Sequence, residues 1–167
     1  MNQINVFPAT WLHRFKTILA DPAWSFNDKG SRVAPDWKKK HIYSTMSLSD
    51  IEALPVQDLA HPDGAHLYLW VPAALKEAGY KVCRQWGFEP KLELVWIKQT
   101  VSGKLHFGMG HYFRHAHENV IFGVKNGLKT LQNSTRTVFY GPVREHSRKP
   151  DELYEIIEQN SPGPRVE

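Results

Sequence analysis

Short apolar runs alternate along this chain with segments of helical periodicity. Thr17 to Ala20 reads as a short buried strand closing on Asp21-Pro22, and Ala65 to Val71 (AHLYLWV) as a longer one. Leu92 to Lys98 (LELVWIK), Glu118 to Val124 (ENVIFGV) and Thr137 to Tyr140 (TVFY) are further runs of strand length. Ser47 to Leu54 reads as a short helix with Ser47 and Asp50 as a capping pair. After Pro72, placed where a first helical residue tolerates proline, Leu75, Ala78, Val82 and Trp86 share one helix face, with Gly87 as the stop. Pro150, Asp151 and Glu152 open a last helix, acidic at its positive pole and striped by Leu153, Ile156 and Ile157. Ser161-Pro162-Gly163-Pro164 ends it, and Arg165-Val166-Glu167 begins another strand. This alternation predicts one α/β domain over residues 1–167 with a sheet of at least five strands. Two long loops interrupt it, Trp24 to Thr45 and Gln99 to Arg114.

Composition narrows the class. The 167 residues carry 21 Lys+Arg against 17 Asp+Glu, a formal charge of +4, which favours a polyanionic partner. The single cysteine, Cys83, has no intramolecular disulfide partner and reads as a small apolar residue in a reducing compartment. No run approaches the ~20 apolar residues of a membrane span, and the first residues lack a basic start followed by an apolar run. A cytoplasmic, membrane-free protein is expected.

The candidate chemistry starts at Asp21-Pro22-Ala23-Trp24, leaving the end of the first strand, where α/β sheets gather their ligands. The amine of an aromatic base such as adenine is a poor nucleophile because its lone pair is delocalised. Acceptors aimed at both amine hydrogens localise that pair as positive charge develops. Asp21 supplies one acceptor and the Pro22 carbonyl a second, while Trp24 could stack on an extruded base. Four residues also fit an ordinary Asp-Pro turn with Trp24 in the core. Lys29, Arg32, Lys38, Lys39 and Lys40, interleaved with Trp37, could follow a phosphate backbone or be a solvated charge run; their place after the motif favours substrate contact. His106, His111, His115 and His117, with Arg114, crowd a segment free of acidic residues. No cysteine joins them, so a loop facing nucleic acid or a partner fits better than a zinc site.

From Leu19-Ala20-Asp21-Pro22-Ala23-Trp24 onward the chain resembles the MT-A-70 family of adenine methyltransferases. Tyr43-Ser44-Thr45-Met46, Leu67 to Val71, Trp86-Gly87-Phe88, Val95-Trp96-Ile97-Lys98, Gly108 to Glu118 and Ser147 to Tyr154 match its segments in order. The resemblance implies methyl transfer from S-adenosylmethionine to the 6-amino group of adenine in DNA or RNA, with DNA expected for so small a domain. A catalytically inactive nucleic-acid-binding or scaffold subunit of the same fold is the alternative. The fold implied is a Rossmann-like class I methyltransferase in permuted order, with catalytic motif first and cofactor strand last. By that resemblance the last part of the C-terminal cofactor strand is expected to be lacking after Glu167, and Ala23 stands where the family usually has a second Pro. The resemblance further implies that Asp21 touches adenine and cofactor, that Tyr43 lies in a loop over the substrate and that Glu118 lines the adenine pocket. Lys149 is implied to contact cofactor or substrate; it precedes a helix start, where an ammonium could meet the cofactor carboxylate. Family members often work in pairs, so a homo- or heterodimer is expected.

Overall fold

A computed structural model describes residues 7–25, 45–108, 110, 112–145 and 148–167. Among the described residues six strands are present: β1 (Thr17–Ala20), β2 (Ala65–Val71), β3 (Glu89–Gln99), β4 (His117–Lys125), β5 (Val138–Pro142) and β6 (Arg165–Val166). They form one sheet in the order β5-β3-β4-β2-β1-β6. β1 is parallel to β2 and β6, and β3 is parallel to β5. β4 runs antiparallel to both of its neighbours, β2 and β3. The helices are α1 (Leu48–Glu52), α2 (Lys76–Gln85) and α3 (Glu152–Asn160). The α/β expectation holds, with six strands where at least five were expected. Among the described residues no helix is long and apolar enough to cross a membrane.

Two cores flank the sheet. All seven residues of β2 are buried, because it lies mid-sheet with both faces covered. Leu67, Leu69 and Val71 point to one core with Val82, Cys83 and Trp86. Tyr68 and Trp70 point to the other, with Leu153 and Ile157 of α3. Helix α2 lies close on its face: a Cβ at Gly79 would stand 2.7 Å from Val71 Cγ2 and 2.9 Å from Ile121 Cδ1. Cys83 is fully buried, and burial pushes its thiol up to about 12, in keeping with its apolar reading.

Local signals account for most boundaries. Ser47 Oγ accepts the Asp50 amide at 3.1 Å and donates to the Asp50 carboxylate at 2.6 Å, capping α1. Gly87, at φ +78, stops the chain after α2. Pro72 departs from expectation. Its ψ of 142 is extended, so it precedes a 3-10 turn at Ala73–Leu75 and is not itself helical. β3 starts at Glu89, ahead of the apolar run, after which its register with β4 shifts between Pro90 and Leu92.

A buried polar cluster fixes the return of the chain from α3 to β6. His66 Nε2 lies 3.0 Å from the Leu128 carbonyl, which can only accept, so Nε2 carries the proton. Nδ1 is then an acceptor, Ser161 donates to it across 2.7 Å, and Tyr68 donates to Ser161 Oγ across 2.7 Å. Thr17 adds a bond to the Pro162 carbonyl at 2.7 Å. Burial lowers the His66 pKa below its ordinary 6.5, against the Leu128 bond, which acts the other way. The unfolded chain therefore binds a proton that the folded chain refuses. Stability is full above pH 6.5 and falls as pH drops from there toward the folded-state pKa. Urea midpoints at pH 7.5 and 5.5 should show this loss, and His66→Gln should flatten that part of the pH slope.

Candidate active site

Topology brings together groups that are far apart in sequence. β2 lies on one side of β1 and β6 on the other, so the strand order reverses at β1. The carboxyl ends of strands at such a reversal leave a crevice for ligands. Asp21 follows β1 at that edge. β4 runs the opposite way, so its second residue, Glu118, lies at the same edge, paired with Trp96 near the end of β3. Lys149, between β5 and α3, completes the group.

These side chains form an alternating chain of charge. Lys149 Nζ lies 3.5 Å from Asp21 Oδ2 and 3.1 Å from Glu118 Oε2. The other oxygen of Glu118, Oε1, accepts from Lys98 Nζ at 2.5 Å. Trp70 places its ring 5.1 Å from Lys149 Nζ, and Trp96 its ring 4.9 Å from Lys98 Nζ. Lys98, Glu118 and Lys149 are each about four-fifths buried, whereas Asp21 keeps 34% of its side chain exposed.

Burial and charge set the protonation states. Burial raises the Asp21 pKa, Lys149 pulls it back, and Glu118 and Glu167 push it up again, for a net rise. Burial also works against ionised Glu118, but Lys149 and Lys98 outweigh it and the Glu118 pKa is lowered. For Lys149, burial favours the neutral amine, yet Glu118 and Asp21 prevail and its pKa is raised. Glu118 and Lys149 are a firm ion pair, whereas the Asp21 carboxyl is shifted toward its protonated form.

The motif's backbone is held in place. Trp24 N–H donates to the Pro22 carbonyl at 2.8 Å, closing a tight turn over Ala23, and Met46 N–H donates to the Ala23 carbonyl at 2.8 Å. The Pro22 carbonyl thus keeps only its second lone pair for a substrate. Trp24 is not the open stacking platform that its place in the motif suggested. It is 8% exposed, and its indole N–H donates to the Trp70 carbonyl at 2.9 Å, so it anchors the motif in the core.

Beside Asp21 opens a cleft of about 360 Å³ lined by Phe7, Trp11, Leu54, Trp86 and Val166, with Asp21 and Glu167 contributing carboxylates. Tyr154 donates to Glu167, 2.8 Å and 2.9 Å from its two oxygens, and burial with that carboxylate pushes the phenol up to about 12. An apolar cleft edged by negative charge suits a flat, cationic ligand.

Three of the predicted site residues converge: Asp21, Glu118 and Lys149. Arg114 does not join them; it sits in the exposed β3–β4 loop with its guanidinium 5.0 Å from the Phe107 ring. Tyr43, Lys38, Lys39, Lys40 and Trp37 lie outside the described residues, as do Lys29, Arg32 and His111. Among the described residues no three His, Cys, Asp or Glu side chains are grouped to hold a metal ion. Sequence reasoning gave no site role to Lys98, although a signal was present. Leu94, Trp96 and Lys98 share one strand face, and Leu94 and Trp96 are buried. A lysine continuing a buried face calls for a partner.

Comparison with known proteins bears on this arrangement. The chain is 33% identical over 159 residues to the N(6)-adenosine-methyltransferase MT-A70-like protein of Drosophila melanogaster, covering 93% of this chain and 24% of that one. It is 31% identical over 157 residues to the human N(6)-adenosine-methyltransferase catalytic subunit METTL3, covering 92% and 25% respectively. A Medicago truncatula relative, a putative N(6)-adenosine-methyltransferase MT-A70-like protein, is 31% identical over 156 residues, covering 92% and 23%. The chain thus spans about a quarter of the length of these relatives. The MT-A70 family model matches residues 15–166, which takes in Asp21, Lys98, Glu118 and Lys149, and the chain belongs to the MT-A70 family.

Proposed function

We propose that this chain transfers a methyl group from S-adenosylmethionine to the 6-amino group of adenine in a nucleic acid. The observation that carries this reading is the placement of Asp21. A partly exposed carboxylate stands between an apolar cleft and a lysine–glutamate pair at the strand-order reversal. We read residues 1–167 as one methyltransferase domain of Rossmann-like, permuted order. Parallel strands around β1, with β4 running antiparallel between β2 and β3, support that reading.

The cleft fits the cofactor. Trp11, Phe7 and Val166 offer apolar faces to a purine, and the Asp21 and Glu167 carboxylates suit a cationic ligand. Lys149 has three donors and engages two carboxylates, so one N–H is left for the cofactor carboxylate. Bound S-adenosylmethionine would supply a methyl group made electrophilic by its sulfonium. This chain's residues then position the amine. Asp21 accepts one amine hydrogen and the second lone pair of the Pro22 carbonyl accepts the other, directing the nitrogen lone pair at the methyl. Asp21 must be ionised to do this, so turnover falls at acid pH through a pKa above the ordinary carboxylate value. Lys149, which contacts both carboxylates, holds Asp21 in place. Contact of the substrate strand with the basic residues Lys38, Lys39 and Lys40, with Tyr43 and with Arg114 belongs to the same reading.

The names of the relatives specify adenosine, the ribonucleoside, and so lend no support to the expectation of DNA. The test is therefore paired. The full chain, supplied with methyl-labelled S-adenosylmethionine, should label adenine-containing oligonucleotides and spare those without adenine, with RNA and DNA run side by side. A scaffold subunit of the same fold would label neither.

A further inference from the structure

Lys98 is three links from the reacting edge, yet it bears on Asp21. The two carboxylates, Asp21 and Glu118, compete for the ammonium of Lys149, at 3.5 Å and 3.1 Å. Glu118 is the nearer and more buried competitor, and by itself would draw Lys149 away. Lys98 prevents this by occupying Glu118 Oε1. A second ammonium thus shares Glu118 with the first, and the four groups, when ionised, sum to zero charge. Lys98 is itself fixed by its backbone: its N–H donates to the Ala116 carbonyl at 2.9 Å, and its carbonyl accepts from His106 at 2.9 Å. The Trp96 and Trp70 rings flank the two ammonium groups in a partly dry setting where such pairings count.

We propose that Lys98 is a positioning residue for methyl transfer: by holding one oxygen of Glu118, it leaves Lys149 shared with Asp21 and so keeps the Asp21 carboxylate ready to accept the adenine amine. The catalytic half of this statement rests on the methyltransferase reading; the charge linkage does not. Among the described residues, the charged and titratable groups that face Asp21 are Lys149 before α3, Glu118 on β4, Tyr154 on α3 and Glu167 after β6. Those facing Glu118 are Lys98 on β3, Lys149 and Asp21 itself.

The experiment follows the Asp21 side-chain carboxyl carbon by NMR across pH in the full, carbon-labelled chain, for wild type, Lys98→Met and Lys98→Arg. Lys98→Met should move the Asp21 titration midpoint upward, because Glu118 then takes Lys149 for itself; Lys98→Arg should restore it. An unchanged midpoint in a folded Lys98→Met protein overturns the proposal. If that variant fails to fold, Glu118→Gln tests the same linkage from the other side. Without its competitor, Lys149 should go to Asp21 and the midpoint should move down; no movement overturns the proposal. In the transfer assay, Lys98→Met should lower kcat on the acid limb of the profile, by up to about tenfold for each pH unit that the Asp21 midpoint rises. The loss should shrink as pH rises, with little change in KM for the methyl donor, whereas a merely structural defect would leave the pH profile in place. Absence of turnover in wild type would refute the methyltransferase reading, while the carboxyl titration would still decide the linkage.

Discussion

Asp21→Ala should reduce methyl transfer by about a hundred- to a thousandfold, the usual cost of losing one preorganised group that stabilises developing charge. The loss should fall on kcat, because Asp21 grips the amine more strongly as the nitrogen becomes positive. The fold should survive, since the side chain is a third exposed and lies outside both cores. Single-turnover rates with the variant's melting curve as control test this. Retention of wild-type kcat would mean that Asp21 does not touch the reacting amine.

Lys149→Met should cost both activity and stability. The ammonium is four-fifths buried against Asp21 and Glu118, and its removal leaves two carboxylates facing each other with only Lys98 to offset them. Stranding buried charge in this way costs on the order of 2–4 kcal/mol, toward the low side of fully buried cases because Asp21 reaches solvent. One of the pair takes up a proton more readily, so the acid limb of the activity profile should move to higher pH. Urea midpoints and a kcat profile across pH check the two effects together. Lys149→Arg should recover most of the stability. A variant with wild-type midpoint and profile would show that the pairs to Asp21 and Glu118 carry no energy.

Much of the scaffold was readable because its signals are local. β1, β2 and β4 are apolar runs of the right length, Gly87 and Ser47 mark helix ends by known backbone preferences, and the stripe through Val82 and Trp86 faces its core. Strand direction was not readable. Nothing in ENVIFGV says that β4 runs antiparallel between β2 and β3, since side-chain alternation is the same in either direction. The early start of β3 was missed because Glu89 and Lys91 are polar; Glu89 and Pro90 are held by pairing with Val124 and Gly123 of β4, and Lys91 falls at the register shift that follows.

The site divides in the same way. Asp21 stood out by its motif. Glu118 and Lys149 lie 97 and 128 residues further on (118 − 21 and 149 − 21), and only the family resemblance connected them to it before the fold did. Trp24 stood between a stacking role and a core role, because an aromatic residue at a strand end does not reveal whether it faces the crevice or the core. Its indole bond to the Trp70 carbonyl decides for the core. Lys98 shows the converse: a charge on an otherwise buried strand face, whose partner 20 residues away is supplied by the β3–β4 pairing.

The most direct measurement is the position of the methyl group itself. After incubation of the full chain with labelled S-adenosylmethionine and adenine-containing RNA or DNA, the product is digested to nucleosides and separated. Label confined to the 6-amino nitrogen of adenine is the predicted result. Label on a ring nitrogen, or on no nucleoside at all, would contradict the account built on Asp21.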